Sequence, residues 1–287
     1  MVKIIISLFI LLSINAAAQP VAMWHAQNQS GCDPDAEAFI AAAGITDATQ
    51  RGAICTLVMD LKGASLWTKF YAIYPFVGGT ASAHKWNLKD ARDLDAAFRL
   101  TFMSGSGAHS SDGWIPTTSG GGTNGGANTW FTQSTQGVAG NMHLSYYSRT
   151  NAAAGNYQEM GTGNTGYNSL SLRFTGGSGS YATNGATQLA SATVSDTRGF
   201  FVGTRTSTTY IGLFRNGSLL NSNTNSETSV ASTNTVTVGI RNVNGIPNFS
   251  SLKQCAFATV GLGLTAAEVA TFYTIVQNYQ TTLGRQL

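Results

Sequence analysis

Charged residues are scarce in this chain of 287 residues. Asp, Glu, Lys and Arg make up 10% of it, and the formal charge of +3 is spread thinly, with no cluster of Lys or Arg. Nucleic-acid binding needs concentrated cations to neutralise phosphates, so we expect no nucleic-acid partner. A surface solvated mainly by hydroxyl and amide groups, in a chain with 33 glycines, is typical of a stable extracellular β-protein.

Carboxylates are scarcer still. Between residues 103 and 257 the only acids are Asp112, Glu159, Asp196 and Glu227, and no two of them lie within 30 residues of each other. A glycosidase needs one acid to protonate the leaving oxygen and a second carboxylate to attack or to activate water. The absence of a strand-borne pair predicts that the chain is not an enzyme and has no catalytic residues.

The same scarcity argues against a metal ion or another cofactor. A Ca²⁺ site takes about six to eight oxygen ligands, usually including carboxylates. Asp90, Asp93 and Asp95 do cluster, but Lys89 and Arg92 are interleaved with them. This pattern predicts a solvated, ion-paired loop, and we expect no metal site.

Cysteine is limited to Cys32, Cys55 and Cys255, which allow one disulfide and leave one thiol. We expect Cys32 to pair with Cys55, because both lie in the N-terminal segment and the bond could staple it. No other Cys or His lies within four residues of any of the three, so their spacing gives no zinc signature.

A single long apolar run occurs, at the N-terminus. Lys3 precedes it, and the small residues 16–18 follow it ahead of Gln19, which is typical of a signal peptide over residues 1–18. The run is shorter than the roughly 20 apolar residues of a membrane span, so we expect no stable span unless the run is retained. The alternatives are a retained anchor and an N-terminal helix buried in a partner. Cleavage would make the protein extracellular, either secreted or on a virion surface.

Two helices are expected next in the chain. Asp33 can cap a helix over 34–43 that Gly44 ends, and Thr46 can cap a second from about 47 to 62. These helices belong to a helical and extended N-terminal segment at residues 19–95.

The rest of the chain, residues 96–287, predicts a β-sandwich with a closing C-terminal helix. Thr265 and Glu268 form a capping box at the start of that helix, and Val269, Phe272 and Val276 belong to an apolar stripe that can lie on the sandwich. Short alternating runs separated by turn residues predict strands with one buried face. The expected strands include 129–132, 142–147, 170–174, 189–194, 199–203, 209–214, 235–240 and 255–260.

The order of elements near the C-terminus carries a family resemblance. Two β-prone runs, 199–203 and 209–214, precede the Arg215-Asn216-Gly217-Ser218 turn, and 255–260 is a last strand before the helix. This order resembles concanavalin A-like (laminin-G-like) jelly-roll sandwiches, a fold shared by lectins, glycanases and virion proteins. The resemblance implies a mainly β fold of that type.

A second resemblance is narrower. Leu66-Trp67-Thr68-Lys69-Phe70, Tyr74-Pro75-Phe76-Val77-Gly78-Gly79-Thr80 and His84-Lys85-Trp86-Asn87-Leu88-Lys89 look like a segment of phage virion proteins that leads into such a domain. The tail from Ala258 to Arg285 is similar to the ending of the same group. The resemblance implies a virion-associated role as a fibre, decoration or receptor-binding protein.

Aromatic residues beside Gly-, Asn- and Thr-rich loops are the candidate ligand-binding side chains. Tyr and Trp give amphipathic contact surfaces that can stack on a sugar or on a protein. We therefore predict a non-enzymatic recognition or structural protein whose partners are a glycan, a host-surface receptor or other virion proteins. The alternatives are a secreted bacterial lectin or adhesin and, least favoured, a polysaccharide-degrading enzyme. The candidate residues are Trp114, Trp130, Tyr157, Tyr167 and Tyr181, with the Gly120–Gly126 loop beside the two tryptophans.

Overall fold

A computed structural model describes residues 31–103, 105, 107–116, 126–132, 140–163, 168–183, 188–226, 232–244 and 246–287. The chain divides after Cys32, and the unit that follows runs from Asp33 to Leu287. The predicted signal peptide, Tyr167 and residues 120–125 of the glycine loop lie outside the described residues. None of the described helices is long and apolar enough to cross a membrane.

The N-terminal helices follow local capping rules. As predicted, Asp33 caps the first helix by accepting a hydrogen bond from the Asp35 backbone N–H (3.0 Å), and Gly44 ends it at φ 66°. The second helix is capped by Asp47, whose carboxylate accepts from the Gln50 N–H at 2.8 Å, rather than by Thr46 as predicted. The described helices are α1 Pro34–Ala43, α2 Ala48–Gly63, α3 Ala81–His84 and α4 Ala266–Thr282, with short 3₁₀ turns at Trp67–Lys69 and Asp95–Ala97.

The strands form two sheets, which confirms the predicted mainly β sandwich with N-terminal helices and a C-terminal helix. The first sheet contains β1 Phe70–Tyr74, β3 Ala108–Ser110, β4 Gly113–Ile115, β6 Met142–Ser148, β11 Gly199–Ser207, β12 Tyr210–Arg215, β13 Ser218–Asn223 and β17 Cys255–Gly261. The second sheet contains β2 Thr101–Phe102, β5 Ala127–Thr132, β7 Met160–Gly163, β8 Asn168–Ser171, β9 Ser178–Thr183, β10 Gln188–Thr193, β14 Thr235–Val238, β15 Arg241–Val243 and β16 Ile246–Asn248.

Strand order follows from antiparallel pairing between neighbours. The first sheet runs β13-β12-β11-β6-β17-β4-β3, with β1 also paired to β17, and the second runs β10-β9-β8-β7-β14-β5-β2. Between β15 and β7 the pairing is parallel. Asn216 (φ 49°) and Gly217 (φ 76°) connect β12 to β13, which is the type I′ geometry that Asn-Gly favours. One face of each sheet contributes to a shared core that includes Leu144, Phe201, Leu170 and Val238.

Helix α4 packs on the outer face of the first sheet. Val269, Phe272 and Val276 are buried, and the Phe272 ring lies 4.8 Å from Phe70 and 5.1 Å from Phe200. The capping box predicted at Thr265 and Glu268 is present. The predicted apolar stripe therefore faces the sandwich.

Arg285, just beyond α4, fixes the C-terminal end of the chain. It is buried, and its guanidinium donates to Gln280 Oε1 and to the backbone oxygens of Pro75, Phe76, Ser111 and Ala256 at 2.8–3.3 Å. This one side chain therefore links the N-terminal segment, the β3–β4 turn and β17.

A buried ion pair links the two sheets. Lys253 Nζ lies 2.8 Å from Glu159 Oε1, and both side chains are fully buried. The carboxylate also accepts from the Ser251 hydroxyl at 2.9 Å and from the Leu172 backbone N–H at 2.6 Å, and Tyr146 Oη donates to the Lys253 carbonyl at 2.6 Å. Because Glu159 precedes β7 and Lys253 precedes β17, the pair joins the second sheet to the first.

The cysteines fall into two states. Cys32 and Cys55 are disulfide-bonded, and Cys255 is free and buried at the start of β17. Burial raises the pKa of the Cys255 thiol far above its ordinary value.

Among the described residues, His84 and His143 are buried histidines. His84 packs against His109, with their Nδ1 atoms 2.9 Å apart, and burial, His109 and Arg285 lower the pKa of His84 from 6.5 to about 3. His143 Nδ1 donates to the Leu262 carbonyl at 2.6 Å, and its Nε2 accepts from the Thr259 hydroxyl at 2.9 Å. Burial lowers the pKa of His143 to about 4.

We predict that Lys253→Met lowers the free energy of unfolding by about 3–5 kcal/mol, because it leaves a buried carboxylate without its cation. Urea denaturation of the folded chain measures this. Adding Glu159→Gln to Lys253→Met should cost less than the sum of the single changes. The control is Arg198→Gln, which breaks an exposed pair with Asp196 and should change stability by no more than about 0.5 kcal/mol. A Lys253→Met loss as small as that of the control would contradict the prediction.

We also predict that stability falls as the pH drops from 6.5 to 5. The folded chain keeps His84 and His143 neutral in this range, whereas the unfolded chain binds protons near pH 6.5, so each histidine contributes a slope of up to about 1.4 kcal/mol per pH unit. Urea midpoints across this range measure the slope. The charged groups near His143 are Lys69 and Glu268, and the Glu268 pKa lies below its ordinary 4.5.

His143→Gln should reduce this slope even if the variant is less stable throughout. A stability that stays constant from pH 6.5 to pH 5 would show that the two rings do not remain neutral in the folded chain.

Candidate functional site

Strand β5 exposes a tryptophan on the outer face of the second sheet. Ala127, Thr129 and Phe131 point into the sandwich and are buried, whereas Asn128 and Trp130 point outward. Trp130 is 38% exposed. The alternation of the strand therefore presents this ring to solvent.

The backbone at Trp130 departs from regular strand geometry. In the pairing of β5 with β14, Thr132 is opposite Thr235 and Asn128 is opposite Thr237, so three residues of β5 face one of β14. Trp130 occupies this bulge at φ 57°. A non-glycine residue in the left-handed region carries about 1–2 kcal/mol of strain, and such strain persists only where neighbouring groups enforce it.

Side chains of β5 itself hold the bulge in place. The Trp130 N–H donates to Asn128 Oδ1 at 3.1 Å, and the Phe131 N–H donates to Thr129 Oγ1 at 3.3 Å. The Thr129 hydroxyl donates to the Val236 carbonyl at 2.6 Å. The indole Nε1–H of Trp130 donates to Thr101 Oγ1 at 3.1 Å, which fixes the ring plane.

Beside this ring lies a cleft of about 300 Å³, which we call the Trp130 cleft. Trp130 and Asn128 of β5, Thr235 and Thr237 of β14 and Asn242 of β15 line it. Aromatic, hydroxyl and amide groups therefore converge on one concave surface of the second sheet.

One polar atom of the Trp130 cleft has no hydrogen-bond partner among the described residues. Asn242 is 6% exposed, and its Nδ2 donates to the Thr235 carbonyl and hydroxyl oxygens at 3.2 and 3.1 Å. Its Oδ1 accepts nothing. A buried acceptor in this state costs about 1–3 kcal/mol.

Trp114, a predicted ligand-binding residue, is a core side chain. It is fully buried, and its ring stacks on Phe76 at 6.0 Å and on His109 at 6.1 Å. A Cβ on Gly239, which has φ 74°, would lie 2.7 Å from the Trp114 ring. Trp114 was predicted to bind a ligand, and this is corrected: its ring fills the space next to Gly239 and has no face exposed to a ligand.

The prediction that Tyr181 binds a ligand is corrected for the same reason. It is fully buried on β9, and a Cβ on Gly203 of the opposite sheet would come within 2.2 Å of its ring. The ring occupies the space that a side chain at Gly203 would need.

Tyr157 is half-buried and lies elsewhere in the sandwich. Lys253 Nζ is 5.0 Å from the centre of its ring, so Tyr157 covers the buried ion pair. Tyr167 lies outside the described residues. Of the predicted ligand-binding residues that the structure describes, Trp130 alone lines the Trp130 cleft.

The described carboxylates between residues 103 and 257 form ion pairs. Asp112 contacts Arg149 at 2.8 Å, Asp196 contacts Arg198 at 2.8 Å, and Glu159 is buried against Lys253. Glu227 lies outside the described residues. Within the described part of residues 33–287, no three His, Cys, Asp or Glu side chains converge as a metal ion would require.

The acidic loop near residue 90 has the ion-paired character predicted for it. Asp90 pairs with Arg92, Asp93 pairs with Lys85 at 2.6 Å, and Arg99 contacts Asp93 and Asp95 at 3.2 and 3.0 Å. The Arg92 guanidinium lowers the pKa of Asp90.

Comparisons with known proteins give likenesses of fold alone. No family model matches the chain, and no curated protein matches it. The binding domain of botulinum neurotoxin DC in complex with SialylT aligns with a TM-score of 0.40 and 12% identity over 53% of this chain and 39% of that one. Domain 4 of AbnA, a GH43 arabinanase from Geobacillus stearothermophilus in complex with arabinotriose, aligns with a TM-score of 0.42 and 11% identity.

The second alignment covers 71% of this chain and 98% of domain 4. The botulinum neurotoxin type G receptor-binding domain aligns with a TM-score of 0.43 and 13% identity over 73% of this chain and 52% of that one. The chain thus spans about two-fifths of the first of these three proteins and about half of the third. At these identities no ligand or activity carries over.

We predict that Trp130→Gly is more stable than Trp130→Ala by about 1 kcal/mol, because glycine adopts the left-handed region without strain. Urea denaturation measures the difference. The control is Leu219, an exposed residue of strand β13, where alanine should be the more stable replacement. The same order at both positions would show that the Trp130 backbone is not strained.

Proposed function

We propose that this protein is a non-catalytic recognition protein that binds a carbohydrate in the Trp130 cleft. The observation that carries the proposal is the exposed Trp130 ring, which a strained bulge holds beside the cleft and which a hydrogen bond to Thr101 fixes in orientation. Strain of this kind is characteristic of binding and catalytic positions, and bulges often re-aim a side chain beside such sites.

The cleft offers the two contacts that a sugar needs. An indole face can pack on the apolar C–H surface of a pyranose or furanose, and the surrounding amides and hydroxyls can bond its hydroxyl groups. Because Nε1–H already donates to Thr101, the ring loses little freedom when a ligand arrives. Pre-organisation of this type lowers the entropic cost of binding.

The carboxylates support a binding role over hydrolysis. Sugar cleavage requires two acids that reach the same glycosidic bond. Glu159 is fully buried, while Asp112 and Asp196 are paired with arginines. A glycosidase mechanism therefore has no available pair among the acids described between residues 103 and 257.

The location of the protein is also part of the proposal. Its resemblance to phage virion proteins supports a surface position on a particle, and the signal-like residues 1–18 support the alternative of a secreted lectin or adhesin. The two settings differ in the mature N-terminus. Mass spectrometry of the native protein should find Gln19 first if it is secreted and processed.

We predict that the protein binds members of a glycan array and that Trp130→Ala weakens this binding about tenfold, because a stacked ring contributes on the order of 1–2 kcal/mol by analogy with aromatic pairs. Titration calorimetry with the best-bound glycan measures the loss. Leu219→Ala is the matched control, since Leu219 is also an exposed apolar side chain and lies on the first sheet.

Equal binding by Trp130→Ala and the parent would place the ligand elsewhere. If the parent binds no glycan, carbohydrate recognition is wrong. A loss of attachment to host cells on Trp130→Ala would then indicate a protein receptor for the same surface.

A further inference from the structure

The side chains lining the Trp130 cleft carry no charge. Besides the tryptophan and the Asn and Thr side chains already described, Met103, Thr233, Asn234 and Pro247 complete the described lining. The cations nearest in sequence to these residues, Arg99 and Arg241, are not among the lining residues. Arg99 pairs with Asp93 and Asp95, and the Arg241 guanidinium lies over the Phe249 ring at 4.8 Å.

The sequence of the undescribed segments supplies no cation either. From residue 104 to residue 245, the undescribed positions contain no Lys, Arg or His, and their one carboxylic acid is Glu227. A ligand carboxylate or sulfate at the cleft would therefore meet no opposite charge from these segments.

The buried hydrogen-bond donors of the cleft are already paired within the protein and offer nothing to a ligand anion. The Thr237 hydroxyl is directed at the carbonyls of Gly161 and Ile240 at 2.9 and 2.7 Å, and Asn242 Nδ2 is committed to Thr235. The buried donors are thus paired inside the protein, whereas Asn242 Oδ1 is not. The exposed Thr233 hydroxyl at the rim can both donate to and accept from a neutral ligand hydroxyl, whereas no lining side chain offers a charge to an anion.

From these observations we infer that the Trp130 cleft selects uncharged, hydroxyl-bearing saccharides and excludes sugars that carry a carboxylate or a sulfate at the bound residue. The inference rests on the proposed carbohydrate binding and narrows its substrate class. An unpaired anion must shed water without gaining a cation, which is costly. A neutral hydroxyl loses much less on entering the cleft and can satisfy an acceptor there.

The test is an array that presents each neutral glycan beside its sialylated, uronic-acid or sulfated derivative. The full-length parent protein should bind neutral members, and an added anion at the bound residue should weaken binding roughly tenfold or more, because the charge is desolvated without a partner. The pair with the strongest neutral signal is then measured by calorimetry.

A positive charge introduced at the rim of the Trp130 cleft tests whether the lack of a cation causes the preference for neutral sugars. Thr233 is exposed and lines the cleft, so Thr233→Lys should fold normally and raise the affinity for the acidic member of the pair severalfold. Thr233→Gln, of similar length and no charge, is the matched control and should leave the preference unchanged. At about 1 M salt, where screening acts within about 3 Å, the gain from lysine should shrink.

The outcomes separate this inference from the proposed function. Acidic glycans that bind as tightly as their neutral partners, and lose binding in Trp130→Ala, would overturn neutral selection while supporting the cleft. Equal effects of lysine and glutamine at position 233 would also overturn it. Absence of binding by both members of every pair would overturn the proposed function together with this inference.

Discussion

The ion pair of Lys253 with Glu159 constrains much of this sandwich, because neither charge has water to solvate it. A buried pair of this kind remains favourable only while both ions stay together and fully hydrogen-bonded. Glu159 also accepts the Gly239 N–H on its backbone oxygen at 2.7 Å, and Ser251 donates its own N–H to the Gly239 carbonyl at 2.7 Å. Gly239 separates β14 from β15, which supply Thr235, Thr237 and Asn242 to the Trp130 cleft. Backbone hydrogen bonds therefore connect the surroundings of the ion pair to the link between two strands of the cleft.

Local signals determined those parts of the fold that the sequence predicted well. The Asp33 cap, the Gly44 stop and the Asn216-Gly217 turn each rest on a residue type that few alternatives can replace, so pattern and structure agree. The cap of α2 differed by one residue because Thr46 and Asp47 are both good capping residues, and a sequence does not reveal which one reaches the free N–H groups. The participation of β1 in the first sheet was also beyond local reasoning, since its partner β17 lies almost 200 residues away.

Prediction of the site failed where tertiary packing decided the outcome. Trp114 and Tyr181 stand beside glycines in sequence or in space, and such surroundings suggest open loops. In the structure, the glycines at positions 239 and 203 are what allow these rings to be buried. The alternation of Thr235 and Thr237 with valines in the sequence indicated that β14 has a polar face. Asn242, which lies on β15 and also lines the cleft, was not predicted as a site residue. The amide of Asn242 is oriented by the hydrogen bonds from its Nδ2 to Thr235. A sequence pattern does not reveal this contact between two strands.

The buried free thiol of Cys255 has a consequence for oxidative folding. Three cysteines permit three different single disulfides, and two of those would use Cys255. Once β17 is paired with β6, this thiol is enclosed at the start of the strand and its raised pKa suppresses the reactive thiolate, which is the species that attacks a disulfide. Assembly of the sheet before oxidation therefore leaves Cys32 and Cys55 as the reactive pair. Correct disulfide pairing is therefore favoured when the β-sandwich folds before the cysteines are oxidised, because folding buries Cys255.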